Sequence, residues 1–117
     1  MLDPYLARLD DMQKEKGGIK LSKLKPGTRV IVTTLYSTYD ITIIDGQKVR
    51  VKGGKHFAEE METIFTGSSW GGSLLKLDWI GHDMRMEFAK PPKGLRTSRV
   101  VGATVIGPDW SYEMDWP

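Results

Sequence analysis

The stretch YDITIIDGQKVRV, residues 39–51, alternates apolar and polar side chains on both sides of an Asp-Gly pair. Alternation with a period of two is typical of a β-strand that buries one face, and Asp-Gly is a frequent hairpin turn. The stretch therefore predicts a β-hairpin with one buried face and one solvent face. The predicted buried face carries Tyr39, Ile41, Ile43, Val49 and Val51.

The loop length of this hairpin follows from the faces that each register produces. A two-residue loop at Asp45-Gly46 would place Ile41 opposite Arg50, which mixes apolar and charged side chains on one face. A three-residue loop over residues 44–46, with the glycine as a left-handed bulge residue, instead places Ile41 opposite Val49. The sequence therefore predicts the three-residue loop.

Further segments rich in Val, Ile, Thr and aromatic residues occur along the chain and favour β-structure. Turn signals recur about every ten residues and no helical segment separates them, which disfavours a parallel α/β sheet. The sequence predicts a mainly β domain, a small SH3-like or OB-like barrel or roll of five to seven strands over about residues 19–107. Besides the strand that contains Val49 and Val51, the predicted strands are residues 29–35, 39–44, 62–66, 83–88 and 99–106.

The N-terminal end differs from this β pattern. Asp3-Pro4 is an N-cap and N1 pair, and apolar residues then recur at helical spacing up to Met12. With Gly17 and Gly18 as a stop signal, the sequence predicts a helix over about residues 4–16. Its narrow apolar stripe predicts packing across one end of the sheet or against another protomer.

The C-terminal tail, residues 108–117, carries Trp110, Tyr112 and Trp116 among acidic residues and shows neither a strand nor a helix period. Aromatic side chains of this size need a surface to pack on. The tail is therefore predicted to lack regular structure and to pack on another surface.

Composition excludes several kinds of chemistry. The chain has 117 residues, a net charge of +2 and no cysteine, which fits one domain and excludes disulfides, thiolate nucleophiles and cysteine-based zinc sites. His56 and His82 are too far apart in sequence to place two metal ligands on one helix face. No run reaches the ~18 apolar residues of a membrane helix, and no signal peptide pattern opens the chain. We therefore expect a cytoplasmic domain without membrane contact, metal site or cofactor.

The most unusual segment is GSSWGGS, residues 67–73. Glycine lets the main chain approach a ligand closely, and successive N–H groups form anion-binding nests. The segment lacks the Gly-Lys-Ser/Thr ending of a P-loop, the βαβ frame of a dinucleotide fold and the G-x-S-x-G motif of a nucleophilic serine. One interpretation is a structural loop in which Trp70 and Trp79 plug one end of the barrel. The other is a ligand-binding loop formed by Ser68, Ser69, Trp70, Gly71, Gly72 and Ser73.

Basic side chains form a second candidate feature. The predicted hairpin register places Asp40 opposite Arg50 and puts Lys48, Arg50 and Lys52 on one outer face, where they could follow a phosphate backbone. The same stripe could simply keep the sheet soluble and protect its edge from aggregation. A further basic run near the last predicted strand includes Arg99.

The motifs around Trp70 resemble those of short uncharacterised bacterial β-rich proteins. The shared pattern is G-S-x-W-G-G-S, then W-I-G, then T-S-x-V, and it covers residues 28–106 at most. The resemblance implies no activity, cofactor or site residue.

No pair of side chains forms a legible catalytic site, so the sequence predicts a non-enzymatic protein. The first hypothesis is a binding module for an anionic ligand, a nucleotide or nucleic acid. In it Trp70 stacks on a base and the backbone of Gly71-Gly72 approaches a phosphate, while charge is supplied by Arg50, Lys52 and Arg99. The second hypothesis is a protein-interaction or assembly module. In it the N-terminal helix docks on a protein partner or a second copy, together with the tail residues Trp110, Tyr112 and Trp116.

Overall fold

The computed structural model describes residues 17–71, 73–91, 93–114 and 116, and the predicted helix at residues 4–16 lies outside them. Ten strands and a short 3₁₀ helix at Leu21–Lys23 make up the regular structure of the described residues. The mainly β class is thus confirmed, and the six strands that close the barrel fall within the predicted five to seven. The strands are β1 Gly18–Lys20, β2 Arg29–Thr34, β3 Thr38–Asp45, β4 Lys48–Gly53, β5 Phe57–Trp70, β6 Ser73–Leu77, β7 Trp79–Gly81, β8 Arg85–Phe88, β9 Leu95–Ile106 and β10 Ser111–Glu113.

Six of these strands close into a ring in which every neighbouring pair is antiparallel. The order around the ring is β2, β3, β4, β5, β8 and β9, and β9 pairs with β2 again. Each ring strand overlaps a strand predicted from the sequence, although β5 and β9 extend well beyond the predicted bounds of 62–66 and 99–106. Three of the strands that the sequence missed have only three residues, too short to display a hydrophobic period. The fourth, β6, has five residues but does not alternate strictly between apolar and polar side chains.

Two long strands, β5 and β9, form the corners of the ring. The first part of β5 pairs with β4, and from Phe65 onward the strand pairs with β8, then also with β6. The register shifts between Phe65 and Gly67, and a bulge of this kind bends a strand so that the sheet can close. The bend brings the GSSW end of β5 against β6 and β8.

The hairpin of β3 and β4 has the predicted faces but a different register. Ile41 lies opposite Val51, not opposite Val49, so the predicted pairing and its three-residue loop are wrong. The turn consists of Gly46, with φ +58°, and Gln47, and a bulge in β3 takes up the extra residue. A displacement of two residues keeps every side chain on its face because the strand period is two.

The buried faces of the ring strands meet in one core. Phe88 packs edge to face against Phe57, with ring centroids 5.3 Å apart, and against Phe65, at 5.5 Å. Met84, Met86 and Phe88, which alternate along the predicted strand 83–88, are all buried. The largest fully buried side chains are Phe57, Phe65, Phe88, Ile19, Leu21, Ile41, Ile43, Ile80, Met86, Val30 and Val32.

A small separate sheet of β1 and β7 places Trp79 beside the end of β5. Ile19 pairs with Ile80, and both side chains are buried. The backbone N–H of Ser22 donates a hydrogen bond of 3.0 Å to the carboxylate of Asp78, which is itself buried. This carboxylate therefore holds the turn before β7 in place.

Candidate functional site

The GSSWGGS segment is the tip of a β-hairpin and not the predicted loop. Its first four residues finish β5, and β6 begins at Ser73, which pairs with Trp70. Gly71 has φ +71°, a left-handed conformation that glycine adopts without strain, and Gly72 lies outside the described residues. Strand pairing, which the composition of the segment did not suggest, fixes where each of these residues points.

The two serines before Trp70 are part of the interior. Ser68 is 0% exposed and Ser69 is 1% exposed. The hydroxyl of Ser68 donates a hydrogen bond of 2.5 Å to the carbonyl oxygen of Trp79, and the hydroxyl of Ser69 donates to a carboxylate oxygen of Glu87. Buried hydroxyls bonded in this way join β5 to β7 and β8, so neither serine faces a surface that a ligand could reach.

Trp70 has the opposite environment, since 54% of its surface is exposed. Its indole lines an open cleft of about 420 Å³ at the base of the hairpin. Ser73 is exposed at the hairpin tip and its hydroxyl donates a hydrogen bond of 3.0 Å to the carbonyl oxygen of Trp70. The described residues that line the cleft are Gly17, Trp70, Leu74, Lys76, Trp79, Gly81, His82 and Met84.

The cleft brings a fixed cation together with aromatic rings. The Nζ of Lys76 lies 3.9 Å from the centroid of the Trp79 ring, a cation–π contact that holds the ammonium at the cleft wall. The imidazole of His82 stacks on Trp116 at 5.4 Å between centroids, and its Nε2 lies 3.7 Å from an oxygen of Asp83. No carboxylate is among the described lining residues, so the cleft suits a planar ligand with negative charge.

The predicted basic stripe exists but is interleaved with acidic residues. Arg50 Nη2 lies 3.5 Å from a carboxylate oxygen of Glu62, and its Nε lies 4.0 Å from Glu60. Lys48 lies 3.9 Å from Glu62 as well. Since β5 supplies these carboxylates across the strand pair, the stripe offers less positive potential to an anion than the sequence alone indicated.

Asp40 also differs from its predicted surroundings. It lies opposite Lys52 on β4, not opposite Arg50, and it accepts hydrogen bonds of 2.6 and 3.2 Å from the guanidinium of Arg29. The hydrogen bond to Asp40, and then the charge of that carboxylate, raise the pKa of Arg29 above its ordinary value. A raised pKa keeps Arg29 protonated up to still higher pH, so this exposed pair persists through the neutral range.

The predicted basic residues lie at unequal distances from Trp70. Arg50 pairs with Glu62, and the path along β5 from that residue to Trp70 is about 26 Å at ~3.3 Å per residue; Lys52 lies further along β4 in the opposite direction. Arg99 instead pairs with Arg85, which pairs with Ser69 beside Trp70. Its backbone therefore lies about 10 Å from Ser69, two strand spacings away. The structure brings Arg99 toward the hairpin and leaves Arg50 and Lys52 elsewhere.

The C-terminal tail lies on this chain's own core. Residues 111–113 form β10 and pair with β9, so the prediction of a tail without regular structure is wrong. Trp110, Tyr112 and Trp116 are partly buried and pack against the hydrophobic core, and Met114 between them is only 5% exposed. The rings thus have a packing surface within the same chain.

A second cleft, of about 630 Å³, separates this tail from the segment before β2. Lys25 and Arg29 line it, but so does the carboxylate of Asp109, and Arg29 is already bonded to Asp40. Its mixed charge suits an anion less well than the cleft at Trp70 does.

Among the described residues, no group of three or more histidine, aspartate or glutamate side chains could hold a metal ion. Within the same part of the chain, no helix has the length and apolarity needed to cross a membrane.

Sequence reasoning missed Leu74, Lys76 and His82 as neighbours of Trp70. A signal was present in SLLKL, residues 73–77, because two glycines followed by a short apolar segment are a hairpin pattern. Treated as a regular strand, this segment would place Leu75 opposite Ser68, whereas a register shift in the hairpin places Lys76 there.

Comparison with protein-family models, curated proteins and solved structures finds no match to this chain.

Proposed function

We propose that this protein is a non-enzymatic binding module that takes a nucleotide base and its phosphate in the cleft beside Trp70. The observation that carries the proposal is the meeting of an exposed indole with a fixed ammonium, from Trp70 and Lys76, in a cleft without a carboxylate among its described lining residues. An aromatic face with an adjacent cation is the arrangement that single-stranded nucleic acids and nucleotides exploit. The proposed ligand class, a nucleotide or nucleic acid, is the one predicted from the sequence. Most of the residues proposed to contact it differ from the predicted ones.

Stacking on Trp70 supplies most of the binding energy in this proposal. The ring is 54% exposed, and strand pairing with Ser73 fixes the backbone that carries it, so the backbone loses little order when a base covers the ring. Base stacking on an aromatic side chain contributes about 1–3 kcal/mol per base. Removal of the indole should therefore weaken binding by at least about fivefold.

Charge supplies the orientation of the ligand. Lys76 is held at the cleft wall by its contact with Trp79. Arg99 is not among the described residues that line the cleft; it lies exposed on the row of residues that leads through Arg85 to Ser69, where it would contact the next phosphate of a strand that leaves the cleft. Two phosphate contacts predict a salt dependence of log K on log salt with a slope of about −1.4 for a single strand. So weak a dependence distinguishes this site from an extended basic groove.

The proposal favours unpaired bases over a duplex. Trp70 can stack only on a base whose face is free, and the bases of a duplex already stack on each other. The paired stripe of Lys48 and Arg50 offers no free row of cations to follow a duplex backbone. Duplex DNA of the same length should therefore bind far more weakly than a single strand.

The test is fluorescence anisotropy with a labelled single strand of about ten thymidines, titrated with the full chain at several salt concentrations. Trp70→Ala should weaken binding at least about fivefold, and Arg99→Gln should reduce the salt slope to about −0.7. Arg50→Gln is the matched control, because Arg50 is paired with Glu62 and should change neither quantity. If an unlabelled mononucleotide competes with the strand, a single nucleotide is sufficient for binding. If it does not compete, the ligand is a nucleic-acid strand.

The proposal is wrong if neither the strand nor the mononucleotide binds, or if Trp70→Ala leaves the affinity unchanged. If Arg50→Gln and Arg99→Gln reduced the salt slope equally, the binding face would include the predicted basic stripe of Lys48, Arg50 and Lys52. Tyr36→Ala gives a second control, since this ring is 86% exposed but does not line the cleft.

For the fold, we propose the SH3-like alternative over the OB-like one. Neighbours in the ring follow the order of the chain, apart from β6 and β7 between β5 and β8, and this is a meander. An OB-fold is a Greek-key barrel, so the meander order supports the SH3-like alternative. A cytoplasmic location and the absence of catalysis stay predictions from the sequence.

The predicted assembly function through the N-terminal helix and the tail has less support. The rings of Trp110, Tyr112 and Trp116 lie on the core of the same chain, and the helix lies outside the described residues. An assembly surface is better sought where apolar side chains are exposed.

A further inference from the structure

The strand β6, Ser73–Leu77, is an edge that the barrel does not close. Among the described strands it pairs with β5 alone, and all five of its residues are exposed. No strand of the described residues pairs with the N–H and C=O groups of β6 that point away from β5. Closure of the barrel leaves the ring strands without a free edge, but β6 lies outside the ring.

Apolar side chains dominate this edge. Leu75 is 46% exposed and Leu77 is 65% exposed; they lie two residues apart and so share one face of β6. Lys76 between them lies on the other face, where its ammonium contacts Trp79. Natural edges are usually protected by charge, proline or a bulge that turns them away, and on the leucine face of β6 there is no charged side chain.

We propose that two copies of this chain associate through β6, pairing antiparallel about a two-fold axis with Leu75 opposite the same residue of the second copy. The pairing joins the two barrels into one continuous sheet. Leu75 and Leu77 are not among the residues that line the cleft, whereas Leu74 and Lys76 on the other face of β6 do line it. The substitutions that test the dimer are therefore made on the leucine face.

The register follows from charge and from the faces of the strand. With Leu75 opposite itself, Lys76 lies opposite Leu74 of the second copy and Leu77 lies opposite Ser73, so no charges of the same sign meet. Leu74 has φ +54° at the register shift of β6, so the regular part of the pairing is centred on Leu75. A displacement of two residues keeps the faces but places Lys76 opposite itself, which like-charge repulsion disfavours. A displacement of one residue brings Lys76 opposite Leu75 and mixes the faces.

The size of the contact predicts a weak dimer. Five residues of strand and a few exposed leucines bury an area at the low end of specific interfaces, below about 1,200 Å² in total. Contacts of this size hold in the micromolar range, so we expect a dissociation constant of about 1–100 µM. The dimer should therefore appear as concentration dependence and not as a fixed species.

The first test is sedimentation velocity of the full chain over concentrations from about 1 to 500 µM, a range chosen to bracket the expected constant. Leu75→Lys places two like charges opposite each other and should leave a monomer at every concentration. Leu35→Lys is the matched control: Leu35 is 47% exposed, compared with 46% for Leu75, and lies in the turn between β2 and β3. It should dimerise as the unchanged chain does.

The second test uses the absence of cysteine from the chain. Leu75→Cys should form an intermolecular disulfide under mild oxidation, because residues directly opposite in antiparallel strands have Cα atoms ~4.5–5.5 Å apart, within disulfide reach. Leu77→Cys should cross-link much more slowly, since Ser73 lies opposite it in this register. Both positions are exposed, so neither variant requires repacking of the core.

A chain that is monomeric at every concentration overturns the proposal, as does a loss of dimerisation in Leu35→Lys equal to that in Leu75→Lys. Cross-linking of Leu77→Cys as fast as that of Leu75→Cys overturns the register. Slow alkylation of a thiol at position 75 in a strictly monomeric chain would show that another part of the same chain covers β6, and this also overturns the dimer.

Discussion

Ser68 and Trp70 lie two residues apart on β5 and have opposite surroundings. The serine is completely buried with its hydroxyl on the Trp79 carbonyl oxygen, while the indole is more than half exposed. The bulge between Ser68 and Trp70 has its extra residue in β6, so it does not change the alternation of β5. Ser68 lies opposite Met86 of β8, whereas Trp70 is the last residue of β5 and lies beyond the pairing with β8. Position along the strand thus separates a structural residue from a candidate binding residue.

Ser68→Ala is expected to lower stability and to leave ligand binding unchanged. The substitution removes the donor and leaves the Trp79 carbonyl oxygen without it in a buried position, which costs about 1–3 kcal/mol of unfolding free energy. Urea denaturation measures this loss. Ser73→Ala is the matched control, since its hydroxyl is exposed and should change stability by less than about 0.5 kcal/mol. If Ser68→Ala weakened binding of the labelled strand without lowering stability, Ser68 would belong to the ligand-binding site.

At this scale the sequence indicated an unusual segment but not the role of each residue in it. The glycine content and the single tryptophan correctly marked residues 67–73 as a segment with an unusual backbone conformation. The burial of the serines depends on partners 11 and 18 positions later in the chain, Trp79 and Glu87. No local pattern encodes these contacts.

At the scale of elements, the hairpin of β5 and β6 depends on a close approach at Gly67. A Cβ atom at this position would lie 2.1 Å from the carbonyl oxygen of Lys76 and 2.9 Å from the Cα atom of Leu77. Both are backbone atoms and cannot move without moving β6. The glycine is therefore required where β6 crosses β5.

Gly67→Ala should displace β6 and cost about 1–3 kcal/mol of unfolding free energy, as overpacking typically does. Both the affinity for the labelled strand and the dimer should fall, because Trp70 and Leu75 belong to the displaced hairpin. Amide hydrogen exchange would show faster exchange in β6 than in the ring strands. Gly102→Ala is the matched control: its Cβ meets no atom within 4 Å, so stability should stay within about 1 kcal/mol or rise slightly. Equal effects of the two substitutions would contradict this account.

Elements with a clear hydrophobic period were predictable, and their pairing was only partly so. The faces of β3 and β4 follow from alternation alone, which is why Ile41 is buried as expected. The register depends on a bulge in β3, and bulges leave no trace in a two-residue period. The ion pairs of Arg50 could not be predicted from the sequence either, since its carboxylate partners come from β5.

At the scale of the whole molecule, closure of the ring decides which surfaces are available. The pairing of β2 with β9 joins strands from the two ends of the described chain, a contact that composition and periodicity cannot supply. Strands inside the ring have no free edge, whereas β6 and β10 lie outside it. The strand β6 carries exposed leucines, whereas β10 leads into residues that pack on the core. The two ends of the sheet therefore have different roles.

Met114→Ala tests the role of the tail in the whole molecule. Met114 is 5% exposed, and its backbone N–H donates to the carbonyl oxygen of Ala103 at 2.8 Å, so the tail closes over the core beside β9. Truncation of a buried methionine costs about 2–5 kcal/mol of unfolding free energy, and each kcal/mol lowers the Tm of a domain of this size by about 4–8 °C. Thermal unfolding followed by circular dichroism measures the change.

Met61→Ala is the matched control, since the same substitution is made at a side chain that is 40% exposed and should shift the Tm by only a few degrees. The oligomeric state should be the same in both variants, because the tail contacts its own barrel and the proposed dimer uses β6. If Met114→Ala left the Tm unchanged but altered the concentration dependence of sedimentation, the tail would be the docking surface that the sequence first suggested. If instead it lowers the Tm and leaves dimerisation intact, the aromatic tail is part of the core, and assembly of this protein is decided at the opposite end of the sheet.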